Sequence, residues 1–345
     1  MKQAIMNNNN FNILNPYQNQ DVSAYYVSII AEGLEKCGYK IKWIIDANEI
    51  NAGESVLIVS VYDYYRVKRK KPYQIFLWIQ GIWPEESYMR NKSKLRRYII
   101  SFIEKQAIQK ADFLFMVSNA MKAHYERKYH LKLYNDYIMP CFNSTLTTQK
   151  FEKSRYEKNV FVYAGGLQPW QCVNKMVCLY KELEKSEMAL ELRFFTSATE
   201  EAKNLLKNCG IKNYTVKYLK QDDLDKELLK AKFGFVLRED EPVNNVSTPT
   251  KISTYLSQGV IPIITDAIYD FSTKSKDMKY CICLDSKSSV KKWAYDIRKW
   301  ILNVEINIEE LQCEYQGLLI HIIVGNFIVK ELPKSSGNIV MIEIN

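Results

Sequence analysis

The chain has 345 residues, of which 47% are hydrophobic and 25% are charged, and its formal net charge is +9. This length is more than one ordinary hydrophobic core supports, so we expect two domains. The eight cysteines form no C-x-x-C pair, and no apolar run reaches the roughly 18 residues that a membrane span needs, which speaks against a disulfide scaffold, a zinc site and a transmembrane protein. The amino-terminal MKQAIMNNNNFN lacks the apolar core of a signal peptide, so we expect a cytoplasmic protein.

The positive charge is concentrated in residues 1–150, which hold 21 Lys and Arg against 13 Asp and Glu. It clusters in Arg66–Lys71 and in Arg90–Arg97. Such patches suit an anionic surface. The sequence contains no recognisable nucleic-acid-binding motif, so we do not expect nucleic acid as the partner. We predict instead a peripheral contact with the inner face of an anionic membrane. A solvated basic face is the alternative explanation.

The first half alternates apolar runs with helical patterns. Apolar runs predict strands, and 3.6-residue periodicity predicts helices after the first strand and over residues 90–109. Ser118 is a predicted helix N-cap, and His124 and His130 belong to the helix that follows and its end. This alternation indicates a doubly wound α/β sheet. Its predicted strands are 11–14, 39–45, 55–60, 73–78 and 112–117.

The second half repeats the same alternation after a polar stretch, residues 142–158, that we interpret as a linker. We therefore predict an α/β fold of two Rossmann-like domains, residues 1–150 and 151–305, facing each other across a cleft. The tail, 306–345, includes an apolar segment that would pack as a helix or strand, back on the first domain. The predicted strands of the second half are 160–164, 191–196, 214–219, 233–237, 260–264 and 279–284.

The stretch FGFVLREDEPVNNVSTPTKISTYLSQGVIPIIT, from Phe233 to Thr265, reads as a strand, a polar loop, a helix and a second strand. Thr248 is a predicted N-cap, Pro249 the first helical residue and Gly259 the C′ residue. A right-handed crossover places the loop at the carboxyl end of the first strand, where α/β sheets bind ligands. Arg238 and Lys251 beside a helix N-terminus predict a phosphate site, with two merely solvated cations as the alternative.

Two further loops follow predicted strands. The sequence GGLQPWQ begins with Gly165 and Gly166, which would let the backbone approach a pyrophosphate, although a tight turn explains the same pattern. In the first half, Gln80 precedes Glu85 and Glu86, whose carboxylates suit a base or a ligand of sugar hydroxyls; a helix start with acidic residues is the rival explanation. With three His in the chain, neither a Ser-His-Asp triad nor a metal site is indicated.

Taken together, FVYAGGLQPWQ and the 233–265 stretch resemble the donor half of GT-B glycosyltransferases. The likeness is narrower to retaining, family-4-type bacterial enzymes that build surface polysaccharides such as capsule and lipopolysaccharide. WIQGIWPEESY and IEKQAIQKADFLFMVSNAMKAHY resemble stretches of their first half, and the resemblance covers roughly residues 10 to 302. It implies transfer of a sugar from a nucleotide-diphosphate sugar, with no other cofactor and no metal, to a glycan or lipid-linked acceptor.

We predict roles for individual residues from these motifs together with the resemblance. Arg238, Lys251, Gln80 and Glu85 are the predicted catalytic residues, and Gln20 and Glu86 are predicted on the acceptor side. By resemblance, Gly165 and Gly166 would lie under the donor diphosphate. The predicted donor-binding residues are Gly165, Gly166, Gln168, Trp170, Gln171, Asn245, Ser247, Thr248, Thr250 and Thr254.

The sequence departs from the family at several positions. Many relatives carry a phosphate-binding Lys where this chain has Trp170-Gln171, so Arg238 and Lys251 would supply that charge instead.

Val246 and Thr254 stand where relatives carry a pair of Glu, and Gln80 stands where they carry a catalytic His. A Thr offers one hydroxyl where a carboxylate accepts two ribose hydrogen bonds. Two alternatives therefore stay open: a sugar-nucleotide-binding partner with weakened activity, and a two-Rossmann nucleotide-sugar epimerase.

Overall fold

The structure is a computed structural model that describes residues 9–15, 22–142, 144, 146 and 151–324. It divides into two compact units, the first formed by the chain up to Cys141 and the second by Phe142–Ile322. Each has its own parallel six-stranded sheet and its own hydrophobic core. The predicted α/β class with two Rossmann-like sheets is confirmed. None of the described helices is long and apolar enough to cross a membrane.

The sheet of the first unit has the strand order β2-β1-β3-β4-β5-β6, with every pair parallel. Parallel sheets are covered by helices on both faces, so their strands read as continuous apolar runs, which is why they were legible in the sequence. The strands are β1 Asn10–Leu14, β2 Lys40–Ile44, β3 Ser55–Ile58, β4 Gln74–Ile79, β5 Phe113–Met116 and β6 Asp136–Ile138; the helices are α1 Val22–Lys36, α2 Tyr64–Lys68, α3 Trp83–Asn91, α4 Lys94–Lys110 and α5 Asn119–Tyr129.

The predicted helix over 90–109 is two helices. Helix α3 ends at Lys92, whose φ is +53°, and α4 begins behind Ser93, whose hydroxyl accepts a hydrogen bond from the Arg96 amide. Ser118 caps α5 as predicted, accepting from the Met121 amide, and His130 ends it in the left-handed conformation. The sequence does not indicate the helix end at Lys92, because a left-handed residue at a helix end is usually Gly or Asn.

The sheet of the second unit has the order β9-β8-β7-β10-β11-β12, again all parallel. This is the common doubly wound order, in which the strand sequence reverses direction between the first and fourth strands of the unit. The strands are β7 Asn159–Ala164, β8 Leu190–Phe195, β9 Tyr214–Lys217, β10 Phe233–Val236, β11 Ile261–Thr265 and β12 Ile282–Leu284; the helices are α6 Ser154–Glu157, α7 Val173–Leu183, α8 Thr199–Asn208, α9 Gln221–Leu228, α10 Pro242–Asn245, α11 Thr250–Ser257, α12 Tyr269–Ser275, α13 Val290–Asn303 and α14 Ile308–Val324.

Both the predicted linker and the tail contribute to the second unit. In the linker, the buried Arg155 guanidinium donates hydrogen bonds to the carbonyls of Leu228, Ala231 and Gln258, at the ends of α9 and α11. Helix α14 buries Leu311, Tyr315 and Leu319 in the core of this unit, so the tail belongs to the second unit up to Ile322. Packing of the rest of the tail on the first domain stays a prediction. Residues 325–345 lie outside the described part of the chain.

Candidate functional site

Strands β7 and β10 are neighbours at the centre of the second sheet, at the point where the strand order reverses. The connections leaving two such strands run in opposite directions, which opens a crevice at their carboxyl ends. Gly165 directly follows β7, and Arg238 lies two residues beyond β10. The sequence placed both residues at this edge, and the structure brings them there.

Arg238 is a buried cation, with 4% of its surface exposed. Its backbone is fixed by Thr265 at the end of β11, whose hydroxyl accepts from the Arg238 amide at 3.0 Å and donates to the Arg238 carbonyl at 2.7 Å. The guanidinium donates to the Leu237 carbonyl at 2.7 Å. Burial lowers the pKa of this group, so a further anionic partner would stabilise it.

Lys251 lies in the first turn of α11. Its Nζ donates to Oε1 of Gln171 at 2.6 Å and to the Tyr163 hydroxyl at 3.2 Å, and it lies 4.4 Å from the centre of the Tyr163 ring. Burial and the nearby Arg238 lower the pKa of this amine well below its usual value. Among the described residues, neither cation forms an ion pair with a carboxylate, and Glu239, which follows Arg238, lies 3.8 Å from Lys175 instead. Two neighbouring cations that lack an anionic partner would bind an anion favourably, because it would supply charge-assisted hydrogen bonds to both.

Gly165 makes room for that lysine. Its φ of +147° is a conformation that L-residues rarely adopt, and a Cβ there would lie 2.4 Å from Cε of Lys251. The carbonyl of Gly166 accepts a hydrogen bond from the Tyr163 hydroxyl at 2.5 Å. The glycine pair therefore does more than turn the chain: it brings backbone alongside a buried amine.

Two tyrosines that we did not predict hold this arrangement together. Tyr163 contacts Lys251, and Tyr255 on α11 accepts from the Ala164 amide at 3.1 Å. The Tyr255 ring lies against Gly234 of β10, where a Cβ would be 2.4 Å from a ring carbon. The sequence signal was a glycine inside an apolar strand, which indicates close approach of another group.

A cavity of about 350 Å³ opens beside these groups and extends past the ends of β8 and β9. Thr250, Lys251 and Thr254 line one side, and residues following the two strands line the other. The sequence analysis did not predict the second side. Open α/β sheets bind ligands at the carboxyl ends of their strands, and that rule, applied to the predicted strands 191–196 and 214–219, would have indicated it. The lining residues on that side are Phe195, Thr196, Ser197, Tyr218, Leu219, Gln221 and Leu224.

The remaining predicted donor residues lie apart from the cavity lining. Asn245, at the end of α10, donates to Asp240 at 2.8 Å, and the Ser247 hydroxyl donates to the Asn244 carbonyl. Gln168 is exposed at the start of a 3-10 turn, Pro169–Gln171, that contains Trp170. The predicted cap at Thr248 is wrong, because α11 begins at Thr250 and Pro249 occupies the N-cap position. Gly259 follows its last turn with φ +69°, as predicted.

In the first unit, Gln80 is exposed directly after β4. A Cβ at Gly81 would lie 1.9 Å from Oε1 of Glu86, so this carboxylate occupies the space beside the strand end. Burial raises the pKa of Glu86, and Arg90, 3.9 Å away, offsets part of that effect. A half-buried carboxylate with a raised pKa is suited to hold or accept a proton.

Glu85 belongs to a different environment. It is buried, with its carboxylate 2.9 Å from Lys128 on α5 and 3.4 Å from Arg97 on α4. Lys128 also contacts the buried Glu104, to which the Tyr129 hydroxyl donates. This network joins α3, α4 and α5, and it favours the structural explanation of Glu85 over the catalytic one. Gln20 lies outside the described residues.

Known proteins provide an independent comparison. No protein-family model and no curated protein matches the sequence. Sucrose-phosphate synthase from Thermosynechococcus elongatus matches with a TM-score of 0.67 at 9% identity, over 91% of this chain and 94% of its own. The lipopolysaccharide outer core galactosyltransferase WaaB matches with a TM-score of 0.63 at 10% identity, over 92% and 99%. TarM of S. aureus matches with a TM-score of 0.56 at 10% identity, over 78% of this chain.

This chain spans about half of the length of TarM, with 52% of that protein covered. At identities of 9–10%, these likenesses establish architecture. All three solved structures combine two Rossmann-like halves, as the two parallel sheets described above do. The chain therefore has the GT-B fold that these glycosyltransferase structures share.

Proposed function

We propose that the protein is a glycosyltransferase that moves a sugar from a nucleoside-diphosphate sugar to a glycan or lipid-linked acceptor in surface glycan biosynthesis. The observation that carries the proposal is Lys251, which lines a cavity of about 350 Å³, together with the buried Arg238, whose charge acts on the Lys251 amine from behind the lining. A diphosphate supplies the negative charge that this pair lacks. The nucleoside would occupy the part of the cavity between α11 and the ends of β8 and β9.

The chemistry follows from where the charge develops. When the bond between the sugar and the diphosphate breaks, negative charge accumulates on the departing phosphate oxygens. Lys251, Arg238 and the N-terminus of α11 are fixed before the reaction, so they stabilise that charge without reorganising. The rest of the catalysis would be positioning of the acceptor hydroxyl. Glu86 beside Gly81 is the proposed acceptor-side carboxylate.

The structures with this fold agree with that assignment of substrate. TarM was solved with UDP and α-GlcNAc-glycerol. An E. coli trehalose-6-phosphate protein of the same fold, with a TM-score of 0.58, was solved with UDP-2-fluoro glucose. We propose a nucleotide sugar as the donor here also, with retention of configuration at the transferred carbon and no additional cofactor.

A second candidate, a donor-binding partner with weakened activity, has one observation in its favour. Thr254 lines the cavity, and its hydroxyl donates to the Thr250 carbonyl at 3.1 Å. Its proton is engaged, so it offers a ribose hydroxyl an acceptor position but no donor. Ribose binding at this position is then weaker than a carboxylate would provide.

A product assay separates these candidates. The full chain is incubated with UDP-glucose, UDP-galactose or UDP-N-acetylglucosamine and a membrane or glycan extract as acceptor. A transferase releases UDP in amounts equal to the sugar incorporated, an epimerase converts the sugar nucleotide without releasing UDP, and a binding protein does neither while still showing a thermal shift with UDP. Absence of both turnover and thermal shift for every nucleotide would overturn the proposed function.

A further inference from the structure

We infer that α4 docks the protein on an anionic lipid surface by inserting an apolar stripe flanked by cations. The face of α4 that points away from the core is apolar, whereas solvent-facing positions of a helix are usually polar. Leu95, Tyr98, Ile99 and Phe102 have 71%, 74%, 52% and 56% of their surface exposed. This inference does not depend on the proposed donor site.

The four side chains form one stripe. They follow one another at intervals of three, one and three residues, so at about 100° per residue they fall within roughly a third of the helix circumference. The opposite side carries Ile100, Glu104, Ala107 and Ile108, all buried. The helix is therefore apolar on two opposite faces. The inner face is buried against the first unit, and the outer face is exposed.

Cations border the stripe on both sides. By the same helical spacing, Lys94 and Lys105 lie along one edge, and Arg96 lies along the other. Glu104 is the single acidic residue of α4, and it is buried. An amphipathic helix with aromatic and aliphatic residues at its centre and Lys and Arg at its margins is suited to lie in the headgroup region of an anionic bilayer.

Charge decides between the possible occupants of this stripe. A second copy related by a two-fold axis would bring two cationic borders together. The segment 325–345 carries two Lys and two Glu, so it offers the borders no net negative charge. An anionic lipid surface satisfies both the apolar centre and the cationic margins. The other predicted patch, Arg66–Lys71, is partly neutralised, since Arg66 pairs with Asp46 and Asp63.

The test is flotation of the full chain with two kinds of vesicle. One is prepared from phosphatidylcholine alone, and the other from phosphatidylcholine with about 30% of the anionic lipid phosphatidylglycerol. We expect binding to the anionic vesicles, weakened by added salt. The double variant Tyr98→Ser/Phe102→Ser should lower the partition coefficient by about tenfold or more, because it removes apolar area that the membrane would bury. The double variant Lys94→Gln/Arg96→Gln should lower it by a similar factor, because it removes two positive charges. Tyr134→Ser/Leu302→Ser is the matched control, since those side chains are 83% and 75% exposed elsewhere.

Thermal unfolding and the thermal shift with UDP check that the α4 variants keep their fold and their nucleotide binding. Absence of vesicle binding by the unmodified chain would overturn the inference, as would binding that both α4 variants retain. Sedimentation velocity tests the remaining occupant. A dimer that Tyr98→Ser/Phe102→Ser converts to a monomer would assign the stripe to a second copy and would contradict the lipid assignment.

Discussion

Gly165 and Lys251 occupy a space that they can share because one of them has no side chain: a Cβ at residue 165 would lie 2.5 Å from the Lys251 Nζ. The Lys251 amine can lie beside the end of β7 because Gly165 has no Cβ. The same contact places the backbone of a glycine turn beside a cation, a combination that suits a phosphate site.

Gly165→Ala should weaken binding of UDP, because the new methyl group displaces the Lys251 amine. It should also destabilise the fold by about 1–3 kcal/mol, the cost of a backbone conformation that alanine rarely adopts. Gly210→Ala is the control for a positive φ without a clash: its φ is +65°, and the nearest atom to its Cβ would be Lys181 Nζ at 3.6 Å. We expect destabilisation in both variants, measured by thermal unfolding, and weaker UDP binding in Gly165→Ala alone. Equal UDP affinity in the two would refute the displacement.

Lys251→Ala should lower the affinity for UDP by about ten- to a hundredfold, the equivalent of a charge-assisted hydrogen bond of about 1.5–3 kcal/mol. Isothermal titration calorimetry with UDP and with uridine distinguishes the cause. The affinity for uridine should change little, since uridine carries no phosphate. Lys226→Ala, on the exposed face of α9, serves as the control for loss of one positive charge. An unchanged UDP affinity in Lys251→Ala would remove this residue from the site.

The affinity for a nucleotide sugar should fall as the pH rises. Burial and Arg238 hold the pKa of the free Lys251 amine below its usual value, and a bound diphosphate raises it. Binding therefore takes up a proton between these two pKa values, and over that range the affinity decreases with increasing pH. UDP-glucose is the suitable ligand, because it has no terminal phosphate group to titrate.

Calorimetry in buffers of different ionisation enthalpy measures that proton directly. The unmodified protein should show net proton uptake, and Lys251→Ala should show less and a flatter pH profile. Proton release, or an identical pH profile in both proteins, is inconsistent with a buried amine that meets the diphosphate.

Thr254→Glu should strengthen binding of ribonucleotides. A carboxylate at this position of the cavity accepts two hydrogen bonds from the ribose, where the Thr254 hydroxyl, already donating to Thr250, offers less. The readout is the ratio of affinities for UDP and 2′-deoxy-UDP, which should rise in the variant. Thr273→Glu on α12, an exposed threonine with the same back-bond to its helix, controls for added charge. A ratio unchanged by Thr254→Glu would place the ribose elsewhere.

Ten of the eleven predicted strands lie within two residues of the observed ones, because the central strands of both sheets are buried on both faces and read as apolar runs. The strand predicted from residue 279 begins at Ile282, and the short, half-buried strand β6 was not predicted. The position of Arg238 and Gly165 at one edge of the sheet could be predicted as well, since crossover handedness brings the carboxyl ends of parallel strands together. These are consequences of chain direction, and they need no knowledge of side-chain packing.

What could not be predicted depends on rotamers and on short turns. The Lys251 side chain occupies the space that Gly165 leaves, and the Tyr255 ring occupies the space that Gly234 leaves; hydrophobic periodicity does not indicate either contact. The separation of Asn245 from the cavity comes from α10, a helix of four residues marked only by Pro242. Glu85 and Glu86 are adjacent in sequence, yet one faces Lys128 and the other Gly81. Their separation follows from the 100° turn between neighbouring helical residues.

The most direct test is a crystal structure of the full chain with UDP. We predict electron density for the diphosphate against the Gly165–Gly166 backbone, within hydrogen-bond distance of the Lys251 amine and the Arg238 guanidinium, and for the uridine between Thr254 and the ends of β8 and β9. UDP bound at another surface, or seated in the cavity with its phosphates directed away from both cations, would contradict the account.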